Sequence, residues 1–321
     1  MTPANLIQEK LKQIPELPGI YKMLDSRMNI IYIGKSKCLK KRVKSYFVNS
    51  PKWEKVNRMV QAIKDIEYIV TDTHLEARLL ECRLIKEHKP RFNAQMKNDE
   101  RYIFLKVERS NPSRPLSIVQ ERDQDCFGPF RNKYTLEEFI SRLKSIYPIT
   151  KSKGCYEFDY HLFPAKMDQA ACEQNCSLLL ELLSQEENIL KFNKTLQSKL
   201  EEAAAQYRYE IASVYRDFIQ AFTQIRYALN RYKDLSDKNI LLKLPYPEGY
   251  KLFFVSGGCI LNEQAVPSLE EAILRKFIQD SKFIANDFIP MAGNEKSEID
   301  FRDILYSEIL DMEEALWEFV L

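Results

Sequence analysis

Glycine is scarce in this chain, 8 of 321 residues, well under the roughly 7% of ordinary proteins. Glycine-rich linkers and glycine-dependent repeats are therefore excluded, and no internal repeat is evident. No apolar run approaches the ~18 residues that would span a bilayer. The N-terminal stretch MTPANLIQEKLKQIPEL has no apolar signal core, so a cytoplasmic protein with no membrane segment is expected. Seven cysteines are an odd number without a secretory signal, which argues against a disulfide framework. What is present is a chain 45% hydrophobic and 29% charged, enough for a real core and for about two domains of ordinary size.

The net charge of +2 hides an asymmetry. Residues 1–100 carry 20 Lys+Arg against 12 Asp+Glu, a net of +8, and the remainder is net −6. Nine basic residues and one acid, Glu54, lie between Lys35 and Arg58. Such a block is the electrostatic footprint of a polyanion-binding surface or, equally, a solvated helix face. The last 28 residues hold nine acids and two bases, so that end is not expected to face a polyanion.

The pattern predicts a helix opened by Thr2-Pro3 and ending before Pro15. Strands follow at Gly19–Leu24 and at Ile30–Ile33, joined by the Asp25–Asn29 turn, with Gly34 ending the hairpin. Ser36 is read as the cap of a basic helix through Phe47, and Ser50-Pro51 as the opening of another containing Trp53, Val56, Val60 and Ile63. Ile66–Val70 is a third strand. Thr73 and Glu76 form a capping box for a helix from His74 to about Lys89, stopped by Pro90. Further on come strands at Tyr102–Val107 and Leu116–Glu121, a turn at Gly128-Pro129 and a helix over Thr135–Ile146. Residues 148–167 read as irregular, 168–232 as two antiparallel helices, 239–263 as short strands, and two helices lie near 267–281 and 301–319.

The first module carries the chemistry. Hydrolysis of a phosphodiester needs a metal-binding carboxylate, cations on the phosphate and a group that takes a proton from water. The hairpin supplies Tyr21 and Tyr32, and the segment after it supplies Lys35, Arg42 and Tyr46. Arg42 and Tyr46 share a face at i,i+4. Glu81 falls among Ala77, Leu80, Leu84 and Ile85 on a mainly apolar face. A carboxylate there must be paired or hold a metal, because burying it alone is costly. Glu76 is explained by its cap. His74 and His88 flank this helix, show no ligand spacing and read as structural or exposed.

Gly19-Ile20-Tyr21, ten residues, then Tyr32-Ile33-Gly34 is a GIY-YIG signature. From Leu17 to Asn93 the chain resembles the GIY-YIG nuclease domain of the UvrC excinuclease family of bacterial nucleotide excision repair. Tyr32-Ile33-Gly34-Lys35-Ser36, Leu39-Lys40-Lys41-Arg42-Val43, Ser45-Tyr46-Phe47 and Lys89-Pro90-Arg91-Phe92-Asn93 carry the resemblance. It implies that Glu81 binds one divalent cation, Mg²⁺ or Mn²⁺. It implies Tyr32 as the base, Lys35 lowering its pKa or placing the water, and Tyr21 orienting the nucleophile or sharing the phosphate. Arg42 would hold the scissile phosphate, Tyr46 support it and Asn93 brace the site. Lys37, Lys40, Lys41 and Lys44 are the expected DNA contacts.

The resemblance continues through Cys126–Phe130 to a UVR-like motif at about 196–222, which in the family pairs with UvrB. Leu200, Tyr207 and Ile211 are the expected partner-binding residues. The family's cysteine-rich iron–sulfur stretch is not matched, since Phe163 and Met167 stand where cysteines are wanted. Cys172 and Cys176, which could join Cys126 and Cys155, read instead as small apolar residues on a packed face rather than cluster ligands. The chain as given lacks the second nuclease domain and the helix-hairpin-helix modules of full-length members, so it resembles the shorter Cho type.

The expected fold class is α+β. It comprises a nuclease module with a three-stranded antiparallel sheet (1–98), a strand and helix connector (99–167), a helical region with the UVR-like motif (168–235) and a small α+β region (236–321) that resembles nothing named. The expected protein is a monomeric endonuclease making one single-strand incision 3′ of a lesion, working on damaged double-stranded DNA with UvrB and UvrA. A GIY-YIG nuclease outside repair and a non-catalytic UvrB-binding adaptor are the alternatives.

Overall fold

The hairpin expected at the start of the chain forms, and its turn shows why. Asp25 Oδ1 accepts the N–H groups of Arg27 (2.8 Å) and Asn29 (3.0 Å), an aspartate-stabilised turn of the kind that joins strands. The structure is a computed structural model that describes residues 3–48, 53–109, 111, 114–163, 165–288 and 295–320. Thr2 and Ser50-Pro51, read as helix openers, lie outside the described residues.

The order is α1 (Pro3–Gln13), β1 (Gly19–Leu24), β2 (Ile30–Ser36), α2 (Leu39–Ser45), α3 (Glu54–Ala62), β3 (Asp65–Val70) and α4 (His74–His88). The sheet runs β2-β1-β3, antiparallel throughout. Gly19 sits where β1 and β3 approach: a Cβ there would lie 2.2 Å from the Ile69 carbonyl oxygen. The Thr73–Glu76 capping box forms, and Lys89 closes α4 in a left-handed conformation (φ 45°). Two readings are corrected. Gly34 does not end β2, because pairing with β1 carries the strand to Ser36. Ser36 does not cap α2, which starts at Leu39 after Cys38; its hydroxyl accepts the Cys38 N–H instead.

The middle of the chain is a second compact unit, residues 100–231. It contains β4 (Ile103–Val107), β5 (Leu116–Val119), β6 (Cys126–Phe130), α5 (Lys133–Leu143), β7 (Thr150–Ser152), β8 (Cys155–Glu157), α6 (Gln169–Ser184), α7 (Glu186–Ala205) and α8 (Tyr209–Asn230). The Gly128-Pro129 pair lies within β6 rather than in a turn. The helical stretch is three helices, not two, with breaks at Gln185 and at 206–208, where Tyr207 adopts φ 59°. Phe139, Phe192 and Phe222 interlock in its core, with centroids 5.1 Å (Phe139–Phe222) and 4.7 Å (Phe192–Phe222) apart. Cys172 and Cys176 are buried in that core, whereas Cys155 is exposed.

The chain then continues through α9 (Lys233–Asp237), β9 (Asn239–Tyr246), β10 (Gly249–Ser256), β11 (Cys259–Val266), α10 (Glu271–Asp287), α11 (Glu295–Asp311) and β12 (Trp317–Val320). The final segment, read as helical to 319, pairs with β9 as a strand after the helix stops at Asp311. The sheet order is β11-β10-β9-β12. Both of its faces are covered. Leu242, Leu244, Phe253 and Val255 pack with Leu75 and Cys82 of α4 and with Ile304 and Leu305 of α11. Leu241, Leu252 and Phe254 pack with Phe277 of α10. Successive strand residues alternate between these cores, as a pleated sheet requires. Contacts thus group residues 1–99 with 232–321 as one unit, joining the first and last of the four segments marked on the sequence. Among the described residues no helix is long and apolar enough to cross a membrane.

Candidate active site

Three phenols meet where β1, β2 and α2 converge. The Tyr21–Tyr32, Tyr21–Tyr46 and Tyr32–Tyr46 ring centroids lie 6.1, 6.0 and 6.2 Å apart, a near-equilateral triangle of tilted rings. The Tyr21 and Tyr46 hydroxyls share a 2.9 Å hydrogen bond. Gly34 makes this possible. It lies opposite Tyr21 in the β1–β2 register, and a Cβ there would come within 2.4 Å of the Tyr21 hydroxyl. The YIG glycine is therefore a packing requirement: its missing side chain is the space that holds a catalytic-type phenol.

Tyr21 is 1% exposed, so its hydroxyl meets its neighbours rather than solvent. Burial, followed by the charges of Tyr32 and Tyr46, raises its pKa well above the ordinary phenol value. Burial likewise raises the Tyr32 pKa, and the Tyr46 phenol and the Glu81 carboxylate push it the same way. Lys35 is not among the leading influences on that ring. The Arg42 guanidinium sits 5.2 Å from the Tyr46 ring centroid, a cation–π distance. Tyr32, Arg42 and Tyr46 line an open pocket of about 380 Å³ together with Lys55, Met59 and Phe92.

Glu81 approaches from α4. Its Oε1 accepts the Lys35 backbone N–H at 3.0 Å, which ties the middle of the helix to the end of β2. Burial raises the Glu81 pKa, against the Lys35 N–H and the charges of Lys35, Arg78 and Arg42, which lower it. Among the described residues this carboxylate forms no ion pair within 4 Å and accepts no second hydrogen bond. A half-buried hard-oxygen donor with spare lone pairs matches the one-carboxylate manner of holding Mg²⁺, which keeps most of its waters. No group of three or more His, Cys, Asp or Glu that could hold a metal occurs among the described residues. Glu76 is spent on its cap, its Oε2 accepting the Thr73 N–H at 2.7 Å.

Asn93 does not reach the phenols. Its Oδ1 accepts the Ile33 N–H (3.0 Å) and its Nδ2 donates to the Ile33 carbonyl (2.8 Å), which holds the backbone between Tyr32 and Gly34. Lys37, Lys41 and Lys44 are exposed, while Lys40 is half-buried and 3.4 Å from Glu16. His74 is half-buried; burial, then Lys35, Lys37 and Arg78, lower its pKa to about 4. In the helical hairpin of the middle unit, Leu200 and Ile211 pack against that unit's own core. Tyr207 is 80% exposed at the turn, its ring 6.3 Å from that of the exposed Tyr209. Sequence reasoning missed the ion pair of Arg78 on α4 with Glu308 on α11. The available signal was the second apolar stripe of α4, Leu75, Leu79 and Cys82, which a three-stranded module has no use for.

The hairpin, the phenol triangle and the carboxylate on α4 define a GIY-YIG endonuclease module. The UvrC-like GIY-YIG domain family matches residues 17–94, and this part of the chain belongs to that family. A UvrABC system protein C from Streptococcus pyogenes serotype M5 (strain Manfredo) is 33% identical over 317 residues, covering 91% of this chain and 52% of that protein. One from Caldanaerobacter subterraneus subsp. tengcongensis is 34% identical over 243 residues, covering 68% of this chain and 38% of that protein. The chain spans about half the length, or less, of these curated relatives. A crystal structure of the GIY-YIG N-terminal endonuclease domain of UvrC from Thermotoga maritima, bound to magnesium, shares 39% identity. It covers 27% of this chain and 96% of its own, at a TM-score of 0.26.

Proposed function

We propose that this protein is a metal-dependent DNA endonuclease of the UvrC/Cho type, making one single-strand incision 3′ of a lesion during nucleotide excision repair. The observation that carries this reading is the joint placement of Tyr32, Arg42 and Tyr46 on one pocket, with Glu81 anchored to the Lys35 N–H in a UvrC-like domain. Arg42 holds the scissile phosphate and neutralises charge as water adds to phosphorus and the P–O bond opens. Tyr32, at the pocket wall, would accept the proton of water only as its phenolate, a form that burial disfavours and that nearby cationic charge would have to stabilise. Tyr21 and Tyr46 fix its orientation, Lys35 adds positive charge beside the carboxylate, and Asn93 holds the β2 backbone. Glu81 would hold the divalent cation, Mg²⁺ or Mn²⁺, which would supply Lewis-acid stabilisation of the phosphate charge. Lys37, Lys41 and Lys44 extend the contact along the DNA backbone, so binding weakens with salt.

The substrate is damaged double-stranded DNA. UvrB, loaded with UvrA, is the recruiting partner, and the exposed Tyr207 at the hairpin turn is the part of the UVR-like motif best placed to meet it. The protein acts as a monomer in the cytoplasm. An incision assay on end-labelled lesion DNA, with and without UvrA, UvrB and Mn²⁺, tests this. The expected outcome is one cut, 3′ of the lesion, that needs the partners and the cation. Glu81→Ala is expected to lower cutting by at least about a hundredfold with an unchanged circular dichroism spectrum. Cutting of undamaged duplex without partners would assign the module to a nuclease outside repair. Partner binding without cutting would make the chain an adaptor.

A further inference from the structure

Arg78 and Glu81 are three residues apart on α4, the spacing at which opposite charges on a helix pair with each other. They do not pair. Arg78 Nη1 instead donates to Glu308 Oε2 at 2.6 Å, and Nη2 donates to the Ser307 hydroxyl, both on α11. Arg78 and Glu308 are 17% and 16% exposed, so the pair is largely shielded from water. About two turns further along the same face, Lys86 meets Asp300 of α11 at 3.0 Å and also pairs with Asp99. Between these two ion pairs lie Leu79 and Cys82, packed with Ile304 and Leu305 of α11. The last ninety residues of the chain thus grip α4 along the side next to Glu81.

We propose that α11 keeps Arg78 away from Glu81, so that the Glu81 carboxylate stays open to a divalent cation. Glu308 and Ser307 are positioning residues that act through Arg78; neither touches the reacting atoms. This inference rests on the reading of Glu81 as the cation's ligand. Without Glu308, the guanidinium has an unpaired neighbour of opposite charge one helical turn away. It would occupy the lone pairs the cation needs. The acidic C-terminal region, which its charge does not suit to DNA, acquires a role in this way: one of its carboxylates competes for a cationic side chain on behalf of another carboxylate.

The test measures Mn²⁺ binding to the full chain by the electron paramagnetic resonance signal of free Mn²⁺, which does not depend on turnover. Glu308→Gln is expected to weaken Mn²⁺ binding about fivefold, the effect of one competing ion pair. The double variant Arg78→Gln/Glu308→Gln removes the competitor and is expected to return binding to the wild-type value. Ser307→Ala, the milder change, is expected to weaken binding in the same direction by less. Wild-type affinity in both Glu308→Gln and Ser307→Ala, or a double variant as weak as Glu308→Gln, overturns the proposal. Glu81→Ala separates the two readings. If it binds Mn²⁺ as tightly as the wild type, Glu81 is not the ligand and the functional reading itself fails.

Discussion

Two sheets lean on the same helix and are built to opposite ends. The three-stranded sheet β2-β1-β3 places polar groups at its heart: a phenol triangle, a glycine left empty for one of the rings and a bond from its backbone to a carboxylate. The four-stranded sheet β11-β10-β9-β12 is apolar on both faces, with Leu242, Phe253 and Phe254 wholly buried. The first sheet buries hydroxyls, which costs free energy unless each finds a partner. The second contributes the ordinary gain from removing apolar surface from water. The candidate site lies in the sheet that buries hydroxyls, and the other sheet packs against the shared helix.

The largest effect should come from the supporting sheet. Phe253→Ala removes a fully buried ring from the cluster that includes Leu75 and Cys82 of α4, and should cost about 3–5 kcal/mol in chemical denaturation. If the nuclease module kept its full stability in that variant, the support described here would be wrong. Arg42→Ala should separate the sheets in the other direction. The side chain is exposed, so stability should change by no more than about 0.5 kcal/mol, while incision should fall about a hundredfold.

The smallest effect concerns pH. The unfolded imidazole of His74 takes up a proton near its ordinary value of 6.5, whereas the folded one does so only at about 4. Unfolding therefore binds a proton between these values, and stability must fall as pH drops from 6.5 towards 4. Differential scanning calorimetry across that range should show the decline, and His74→Asn should flatten it. An equal decline in the variant would place the effect on other groups.

The nuclease module was legible because its signals are local. The Asp25 turn and the Thr73–Glu76 cap sit within a few residues of the features that explain them, whereas the tyrosine, arginine and glutamate positions were read from the resemblance to the GIY-YIG family. Glu81 also stood out as one carboxylate on an apolar helix face, a conflict that demands a partner. The readings that failed depended on pairing between distant segments. Gly34 looked like a stop until β1 paired beside it, Gly128-Pro129 looked like a turn until β4 did, and residues 317–319 read as helix until β9 took them up. The ion pair of Arg78 was missed for the same reason, its partner being 230 residues away.

The left-handed residue Lys89 turns the chain sharply after α4. Phe92 N–H then donates to the Ile31 carbonyl, and Asn93 makes two bonds to Ile33. β2 would otherwise be a border strand with free backbone donors and acceptors, a template for joining another molecule. Residues 92–93 close that border. The strand that carries Tyr32 is thereby denied to strangers, and the protein gains resistance to edge-to-edge aggregation with two residues of the motif itself.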